Sequence, residues 1–394
     1  MRPGFVNRLS AGVRFIQYPK SVIQYPQFDN AAGGHPVVSL YLNVDGSRYA
    51  RRGDYEAEYG FMVHEARRTA AENPGFSKDQ LEEMDADLQA VGEFLALEFR
   101  REGARGLIIF SCRTRGLWQV QPLKVPVKNR LFVDLKPRLA PLARMLSRHR
   151  RFGVLLASKE TARLLEHYAG EISENSEIFD MVLKHHSQGG WEQAKLQRRH
   201  QLQVRNHLKK AGDAALAFFQ EKSLDLLVVG ISEDLWPELE KVLHPYLKER
   251  LAGRFNIDIS ADANEIRGKV EAIEEGIRAR EQEALLASLG PELAAGKTYV
   301  GGLDDVLAAL NERRVDLLIV ESGYAKPGRR CPGCNTIEFG EESCPSCRTK
   351  MQAVNDIVEE AEELAVRQDA VVIEVPPGNA SLAQAEKIAA RLRY

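Results

Sequence analysis

The chain has 394 residues, of which 44% are hydrophobic and 28% charged, and its formal net charge is −2. These values are those of an ordinary globular protein with two or three domains. The sequence contains no run of about 18 apolar residues and no N-terminal apolar stretch of the secretory kind, so it predicts neither a membrane span nor a secretory signal, and we expect a cytoplasmic protein.

The N-terminal part, residues 1–149, is predicted to be an α/β domain. After an irregular lead-in rich in proline and glycine, the pattern predicts a strand from Val37 to Val44 and a buried strand from Gly106 to Cys112. Two helices are predicted between these strands, from Asp54 to Glu72 and from Lys78 to Glu102. The four prolines between residues 122 and 141 are interpreted as a connecting segment.

The central part, residues 150–290, alternates strands with helices, which favours a layered α/β domain. Its almost wholly apolar run from Leu224 to Gly230 is typical of an inner strand covered on both faces. The other predicted elements are strands at Phe152 to Ala157, Thr161 to Gly170 and Ile257 to Ser260, a long helix from Trp191, and helices at Glu233 to Arg250 and Glu265 to Ala287.

The C-terminal part, residues 291–394, is predicted to be a third α/β domain. A helix from Asp304 to Arg313 leads directly into a buried strand from Val315 to Val320, and a cysteine-rich segment follows. The remaining predicted elements are an acidic helix at Asp356 to Val366, a strand at Ala370 to Val375 and a last helix at Ser381 to Arg393. The acids from Asp356 to Glu363 are interpreted as a solvated face in preference to a metal site, or as a surface that opposes a basic partner.

A glycine pair at the start of the long central helix separates two polar flanks. The helix that follows has an apolar arc and a basic arc on opposite sides. The apolar arc comprises Leu196, Val204, Leu208, Ala211, Ala215, Phe218 and Phe219. The basic arc, which we call the basic stripe, comprises Lys195, Arg198, Arg199, Arg205 and Lys209. Residues 184–210 carry seven Lys or Arg against one acid, a local charge of +6 in a chain of charge −2. Such a stripe is either a solvated helix face or a surface that binds phosphates.

Four cysteines form two CxxC pairs separated by nine residues: Cys331, Cys334, Cys344 and Cys347. Two short turns of this kind can deliver four sulfurs to one tetrahedral ion, so the spacing predicts a structural Zn²⁺ site. The alternatives are a redox pair or a site that has lost its metal. Four protein ligands would leave no open position for water or substrate, which indicates a structural and not a catalytic metal.

Several of these segments together resemble the archaeal and eukaryotic class 1 peptide-chain release factors. Gly189, Gly190 and the nearby Gln193 are similar to the Gly-Gly-Gln loop of that family, although the Gln follows two residues late, as in the bacterial members and the rescue hydrolases of the superfamily. The segment RFGVLLASKETARLLEHYAGEI resembles the opening of the family's second domain, and Tyr299 to Val320, the paired CxxC turns and the final Leu-Arg-Tyr resemble its third. The resemblance covers about Arg151 to Tyr394.

The resemblance implies an α/β protein with three release-factor-like domains, each a sheet with packed helices, and a zinc ribbon inserted in the third. It implies a monomer that enters the ribosomal A site and hydrolyses peptidyl-tRNA in release or rescue. Gly189, Gly190 and Gln193 would act at the ester, and the basic stripe would bind ribosomal RNA. The implied partners are the ribosome, rRNA and peptidyl-tRNA, with a translational GTPase as a further candidate.

The sequence departs from the family in three places. Neither the Asn-Ile-Lys-Ser tetrapeptide nor the Tyr-x-Cys pattern of codon reading occurs in residues 1–149, and Ala385 to Ala390 replace a glycine-rich run with what reads as helix. The displaced Gln193 and the bulky Trp191 favour a rival function, a non-catalytic hibernation factor that occupies the same site. A zinc-ribbon nucleic-acid binder unrelated to the ribosome would need a basic third domain, and this one is rich in acids.

Overall fold

The computed structural model describes residues 34–72, 76–147, 149–179, 193–340 and 342–394. The chain forms two compact units, one of Met1–Arg148 with Glu281–Tyr394 and one of His149–Arg280. The fold is mixed α/β, with several sheets covered by helices. None of the described helices is long and apolar enough to cross a membrane. The division into domains 1–149, 150–290 and 291–394 stays a prediction.

The N-terminal region has one antiparallel sheet of order β3-β2-β1-β4. Leu40 and Leu42 of β1 pack with Tyr55, Val91 and Leu95 of the two long helices. Its elements are β1 (Val37–Asn43), α1 (Arg52–Glu72), α2 (Lys78–Leu97), β2 (Gly106–Cys112), β3 (Leu117–Leu123), β4 (Arg130–Asp134) and α3 (Ala140–Ser147). The first two strands and helices confirm the predictions, although α2 ends five residues early.

The proline-containing segment after β2 is not a connection, and this interpretation was wrong. It holds β3, β4 and α3. Pro122 lies in β3, opposite Leu107, and β3 is an edge strand of the sheet. An edge strand tolerates a proline because one side of the strand needs no N–H donor.

The unit His149–Arg280 has a mixed sheet of order β7-β6-β5-β8-β9, in which β5, β8 and β9 are parallel. One face of this sheet packs on α4, and the other packs on Ile266 and Val270 of α7. Coverage on both faces confirms the predicted inner strand. The elements are β5 (Phe152–Ala157), β6 (Thr161–Tyr168), β7 (Glu171–Phe179), α4 (Gln193–Lys222), β8 (Leu226–Ile231), α5 (Trp236–Val242), α6 (Pro245–Lys248), β9 (Leu251–Phe255) and the first part of α7 (Ala263–Ala295), whose residues from Glu281 onward belong to the other unit.

Two predictions in this unit were wrong. The helix expected from Glu233 to Arg250 is the two short helices α5 and α6, because Pro245 cannot donate a helix-interior hydrogen bond and instead starts α6. The strand expected near Ile257 to Ser260 lies earlier, as β9.

The C-terminal region has a sheet of order β10-β16-β11-β15, and a separate small sheet of order β13-β12-β14. Val306, Leu310, Leu318 and Ala361 lie in one core that joins the main sheet to its helices. The elements are β10 (Tyr299–Gly301), α8 (Leu303–Asn311), β11 (Val315–Glu321), β12 (Gly328–Arg330), β13 (Ile337–Glu338), β14 (Gln352–Val354), α9 (Ile357–Arg367), β15 (Val371–Val375), α10 (Ala380–Gln384) and β16 (Ile388–Leu392).

The predicted last helix from Ser381 to Arg393 was also wrong. Only α10 is helical, and β16 is a central strand paired with both β10 and β11. Glu386 and Lys387 have positive φ angles of 54° and 71°, which interrupt the helix and turn the chain into the sheet. Ala389 and Ala390 are fully buried there.

The acidic helix α9 is not a solvated face. Glu360, Glu362 and Glu363 are buried, with exposed fractions of 7%, 3% and 3%. Glu360 is paired with Arg138, and Glu362 with Arg144. A carboxylate oxygen of Glu363 accepts the backbone N–H groups of Leu139 and of Ala140, both at 2.9 Å, so it caps the start of α3. The basic partner that the sequence left open lies within the same chain.

Candidate metal centre and basic helix

The four cysteines predicted to bind zinc come together in the turns that adjoin the small β13-β12-β14 sheet. Their Sγ atoms all lie within 4.8 Å of one another. The closest pairs are Cys331 with Cys347 and Cys334 with Cys344, each at 3.4 Å. A disulfide would need about 2 Å, whereas sulfurs at about 2.3 Å from one tetrahedral zinc lie about 3.8 Å apart. All four cysteines are free, and their spacing fits one metal ion.

The two CxxC turns have the same local geometry. In the first, the N–H of Asn335 donates to the Cys331 carbonyl at 3.0 Å, and in the second the N–H of Arg348 donates to the Cys344 carbonyl at 2.8 Å. Asn335 and Arg348 also share a left-handed backbone, with φ of 62° and 61°. Because the turns match, each presents one buried and one exposed cysteine to the common centre.

The metal centre is anchored to the main fold of its own unit. The side-chain amide of Asn311, the last residue of α8, donates to the Ile337 carbonyl at 2.8 Å and accepts from the Ile337 N–H at 3.1 Å. Gly328 of β12 lies against Ile357, where an added Cβ would come within 2.5 Å. These contacts tie the cysteine-bearing segment to the rest of its unit. The hydroxyl of Thr349, 3.3 Å from the Cys347 sulfur, holds the pKa of that thiol below its usual value.

The predicted apolar arc of the long helix is buried on the sheet of its unit. The exposed fractions are 6% or less for Val204, Leu208, Ala211, Ala215, Phe218 and Phe219. Leu208 and Ala211 lie at the centre of the core that α4 shares with β5 and β8. The side chain of Leu196 lies outside the described residues. Burial along this arc fixes which side of α4 faces the solvent.

The opposite side of α4 carries the basic stripe. Arg198, Arg199, Arg205 and Lys209 are all exposed. In the part of the chain that the structure describes, none of these four has an ion-pair or hydrogen-bond partner, although Arg205 lowers the pKa of Glu238 after the larger effect of Lys241. From Arg198 to Lys209 the stripe extends about 16 Å along the helix. The side chain of Lys195 lies outside the described residues.

Of the residues predicted to act at the ester, only the backbone of Gln193 lies within the part of the chain that the structure describes. Gln193 is the first residue of α4, and its side chain is outside the described residues. Gly189 and Gly190 also lie outside them. Their roles therefore stay predictions. A third feature, an arginine-lined cavity beside α1, was missed by the sequence analysis because its residues are about fifty positions apart in the chain.

The chain is similar to known proteins over different parts of its length. Residues 137–275 match the model of the bacterial archaeo-eukaryotic release factor family 10. The peptide chain release factor subunit 1 of Archaeoglobus fulgidus is 25% identical over 299 residues, which are 68% of this chain and 72% of that protein.

Two solved structures are also similar over most of the chain. The crystal structure of an archaeal translation termination factor is 18% identical, with 91% of this chain and 92% of that chain covered and a TM-score of 0.27. The crystal structure of Archaeoglobus fulgidus Pelota is 17% identical, with 75% and 81% covered and a TM-score of 0.35.

Proposed function

Since this chain is a release-factor-like protein of the bacterial type, we propose that it is a translation factor that enters the ribosomal A site and hydrolyses peptidyl-tRNA, in peptide release or in rescue of stalled ribosomes. The family match spans residues 137–275, and so includes both the Gly189-Gly190 pair and the whole of α4. The observation that carries the proposal is that Arg198, Arg199, Arg205 and Lys209 of the stripe are exposed and have no ion-pair or hydrogen-bond partner among the described residues.

The basic stripe is proposed to bind rRNA phosphates. A ribosomal surface is a dense array of phosphates, and each one neutralised by an arginine or lysine releases counterions, which drives binding. Burial of the opposite face of α4 fixes the helix backbone, so only the exposed side chains of the stripe must be ordered on binding.

The proposed reaction is hydrolysis of the ester that joins the peptide to the tRNA ribose. A water oxygen attacks the carbonyl carbon and gives up a proton, and a tetrahedral oxyanion forms. The oxyanion then collapses, and the bond to the ribose oxygen breaks as that oxygen takes up a proton, so the products are the free peptide carboxyl group and the tRNA hydroxyl. Gly189 and Gly190 would let the backbone approach the tRNA end where a Cβ would clash. The amide of Gln193 would orient the water or donate to the oxyanion.

The paired CxxC turns are proposed to hold one structural Zn²⁺. The four sulfur ligands match the coordination that zinc takes in structural sites, and zinc would tie the two turns together. No ligand position remains for chemistry at the metal. The likeness to release factors, from which the ribosome is proposed as a partner, is also the ground for two further proposals. A translational GTPase would deliver the protein, and the protein would act in the cytoplasm.

The test is single-turnover release of a labelled peptide from ribosomes with an empty A site. We expect Gln193→Ala to slow release by about 10²- to 10³-fold, the usual cost of losing one placed donor. The matched control is Gln188→Ala, the amide on the other side of the glycine pair, which should have a smaller effect. Neither change should greatly weaken ribosome binding.

The same assay decides between hydrolysis and occupation of the site without reaction. If the wild-type protein binds ribosomes tightly and releases no peptide, the hydrolase proposal is wrong. The non-catalytic hibernation factor, which Trp191 and the displaced Gln193 favour, then takes its place.

A further inference from the structure

One arginine extends from the cysteine-bearing segment into the main fold of its unit. Arg330 is the last residue of β12 and directly precedes the first cysteine, Cys331. Its guanidinium group donates from Nη1 to one carboxylate oxygen of Asp134 at 2.9 Å and from Nη2 to the other at 3.2 Å. The same Nη1 donates to Glu360 at 3.4 Å. We call these contacts the Arg330 link.

The Arg330 link joins the metal centre to two parts of the unit that are distant in sequence. Asp134 is the last residue of β4 and pairs with Val37 of β1, so it belongs to the N-terminal sheet. Glu360 lies in α9. The side chains of Arg330, Asp134 and Glu360 are only 23%, 10% and 9% exposed, so solvent screens these contacts weakly. A two-pronged contact between an arginine and a carboxylate is also among the stronger polar contacts in proteins.

The small sheet that positions Arg330 has almost no core of its own. β12 and β14 have three residues each, and β13 has two. Among the described residues, the hydrophobic cluster around the cysteines contains Cys331, Cys344 and one other residue, Met351. Segments with so few apolar contacts are usually held by a metal or by disulfides. The four cysteines form no disulfide, so the metal is the remaining means of holding the sheet.

Backbone pairing connects both cysteine turns to Arg330. Arg330 pairs with Ile337 of β13, which follows the first turn, and with Gln352 of β14, which follows the second. The next N–H along the chain, that of Cys331, donates to the Thr336 carbonyl at 2.8 Å. An ion that ties the two turns together therefore also ties together the two strands that flank Arg330.

The main fold supports the small sheet at β13 and at the start of β12. Asn311 of α8 holds Ile337 through two hydrogen bonds, and Gly328 lies against Ile357 of α9. The chain reaches β14 through the second cysteine turn. Loss of the ion would therefore leave the segment attached, but it would release the turn that adjoins Arg330 and the β14 strand beside it.

We propose that the metal centre controls how tightly the N-terminal sheet is bound to α9, through the Arg330 link. With the ion bound, Arg330 is held between Asp134 and Glu360 and compensates both carboxylates together with Arg138. Without the ion, Arg330 is released, and the two buried carboxylates share Arg138 alone. Coupling of this kind acts in both directions, so the link also strengthens metal binding. The inference rests on the proposed Zn²⁺ and not on the proposed reaction.

The test is hydrogen exchange of the full chain followed by mass spectrometry, with zinc measured in the same samples. The chain is compared with zinc bound, after zinc is removed by a chelator, and after zinc is restored. We expect removal to speed exchange about 10-fold or more in peptides that cover β4 and α3, and restoration to reverse this change. Peptides of β5 and β8, which belong to the other unit, are the internal reference and should not change.

Two neighbouring arginines of β12 supply the variant and its matched control. Arg330→Met removes the link and keeps all four sulfurs, so we expect exchange in β4 to be about 10-fold or more faster with zinc still bound. Its zinc affinity should fall several-fold, and removal of zinc should have little further effect on β4, because the link is already absent. Arg329→Met removes an arginine whose partner, Glu342, is 79% exposed at 3.5 Å, and it should change neither quantity.

The outcomes separate the link from the metal. If the chain binds zinc and its removal leaves exchange in β4 unchanged, the link is overturned and the metal site stands. A chain that takes up no zinc overturns the proposed Zn²⁺, and control of the link by a metal with it. If the chelator unfolds the whole unit, the zinc-bound variants decide. Faster exchange of β4 in Arg330→Met than in Arg329→Met then supports the link, and equal exchange overturns it.

Discussion

A buried group of four charges joins β4, α9 and β12 inside one unit, and it allows a quantitative prediction. Arg138 donates to Asp134 at 2.8 Å and also contacts Glu360, and Arg330 lies 2.9 Å from Asp134 and 3.4 Å from Glu360. Side-chain exposure is 11% for Arg138, 10% for Asp134 and 9% for Glu360. Burial alone would raise the pKa of Asp134, but Arg138 and Arg330 outweigh it and hold that pKa below its usual range.

Changing Arg138 to Ala leaves two buried carboxylates that share the single cation Arg330. Removing one partner of a buried ion pair costs about 3–5 kcal/mol. Because Arg330 still compensates part of the charge, we expect a loss of about 2–4 kcal/mol in the free energy of unfolding and a fall of about 5–10 °C in the Tm of this unit. Thermal and urea unfolding followed by circular dichroism measure both quantities.

The matched control is Arg67→Ala, which removes the same side chain from an ion pair of 2.7 Å to Asp85 whose members are 52% and 51% exposed. An exposed pair contributes less than about 1 kcal/mol. A second variant, Arg138→Met with Glu360→Met, leaves the neutral pair of Asp134 and Arg330 and should recover most of the loss. The reasoning is refuted if Arg138→Ala costs no more than Arg67→Ala.

Three further predictions follow from the metal centre, the basic stripe and a buried histidine. Purified protein should contain one zinc per chain by elemental analysis, and Cys331→Ser with Cys344→Ser should contain none and melt at a lower temperature; zinc retained by that variant would contradict the four-sulfur site. The stripe variant, Arg198→Glu with Arg199→Glu and Arg205→Glu, should cosediment less with ribosomes and show a flatter salt dependence, since each lost phosphate contact removes released counterions; wild-type behaviour across the salt series would mean that the stripe is a solvated face. His167 is fully buried with no partner for either ring nitrogen among the described residues, and burial lowers its pKa from 6.5 to about 4 in spite of Glu274 nearby. As the pH falls, the imidazole of His167 takes up a proton in the unfolded chain before it does so in the folded one. The contribution of the neutral His167 to the free energy of unfolding is therefore complete above pH 6.5 and falls by about 3 kcal/mol as the pH is lowered from 6.5 to about 4. His167→Phe should remove this part of the pH dependence of Tm, and an unchanged pH profile would argue against it.

Much of the fold could be predicted from short-range sequence patterns. The apolar runs at β2, β5 and β8 are continuous, as expected for strands that are buried on both faces. Such runs can be recognised without knowing which distant segments cover the strands. The two faces of α4 follow from helical periodicity in the same way. The CxxC spacing brings each pair of sulfurs together through one local turn, and the two turns then meet at one centre.

Other features depend on residues that are distant in the chain. The end of the chain contains a helix-like run of alanines, yet β16 becomes a central strand because β10 and β11 offer it hydrogen bonds on both sides. The glutamates of α9 look like a solvated face until α3 and the segment just before it bring Arg144 and Arg138 to them. Sequence patterns report local periodicity. Which residue pairs with a buried charge, and which residues line a cavity, depends instead on which distant segments pack together. The Arg52, Arg100 and Arg101 cavity is therefore a property of the tertiary structure alone.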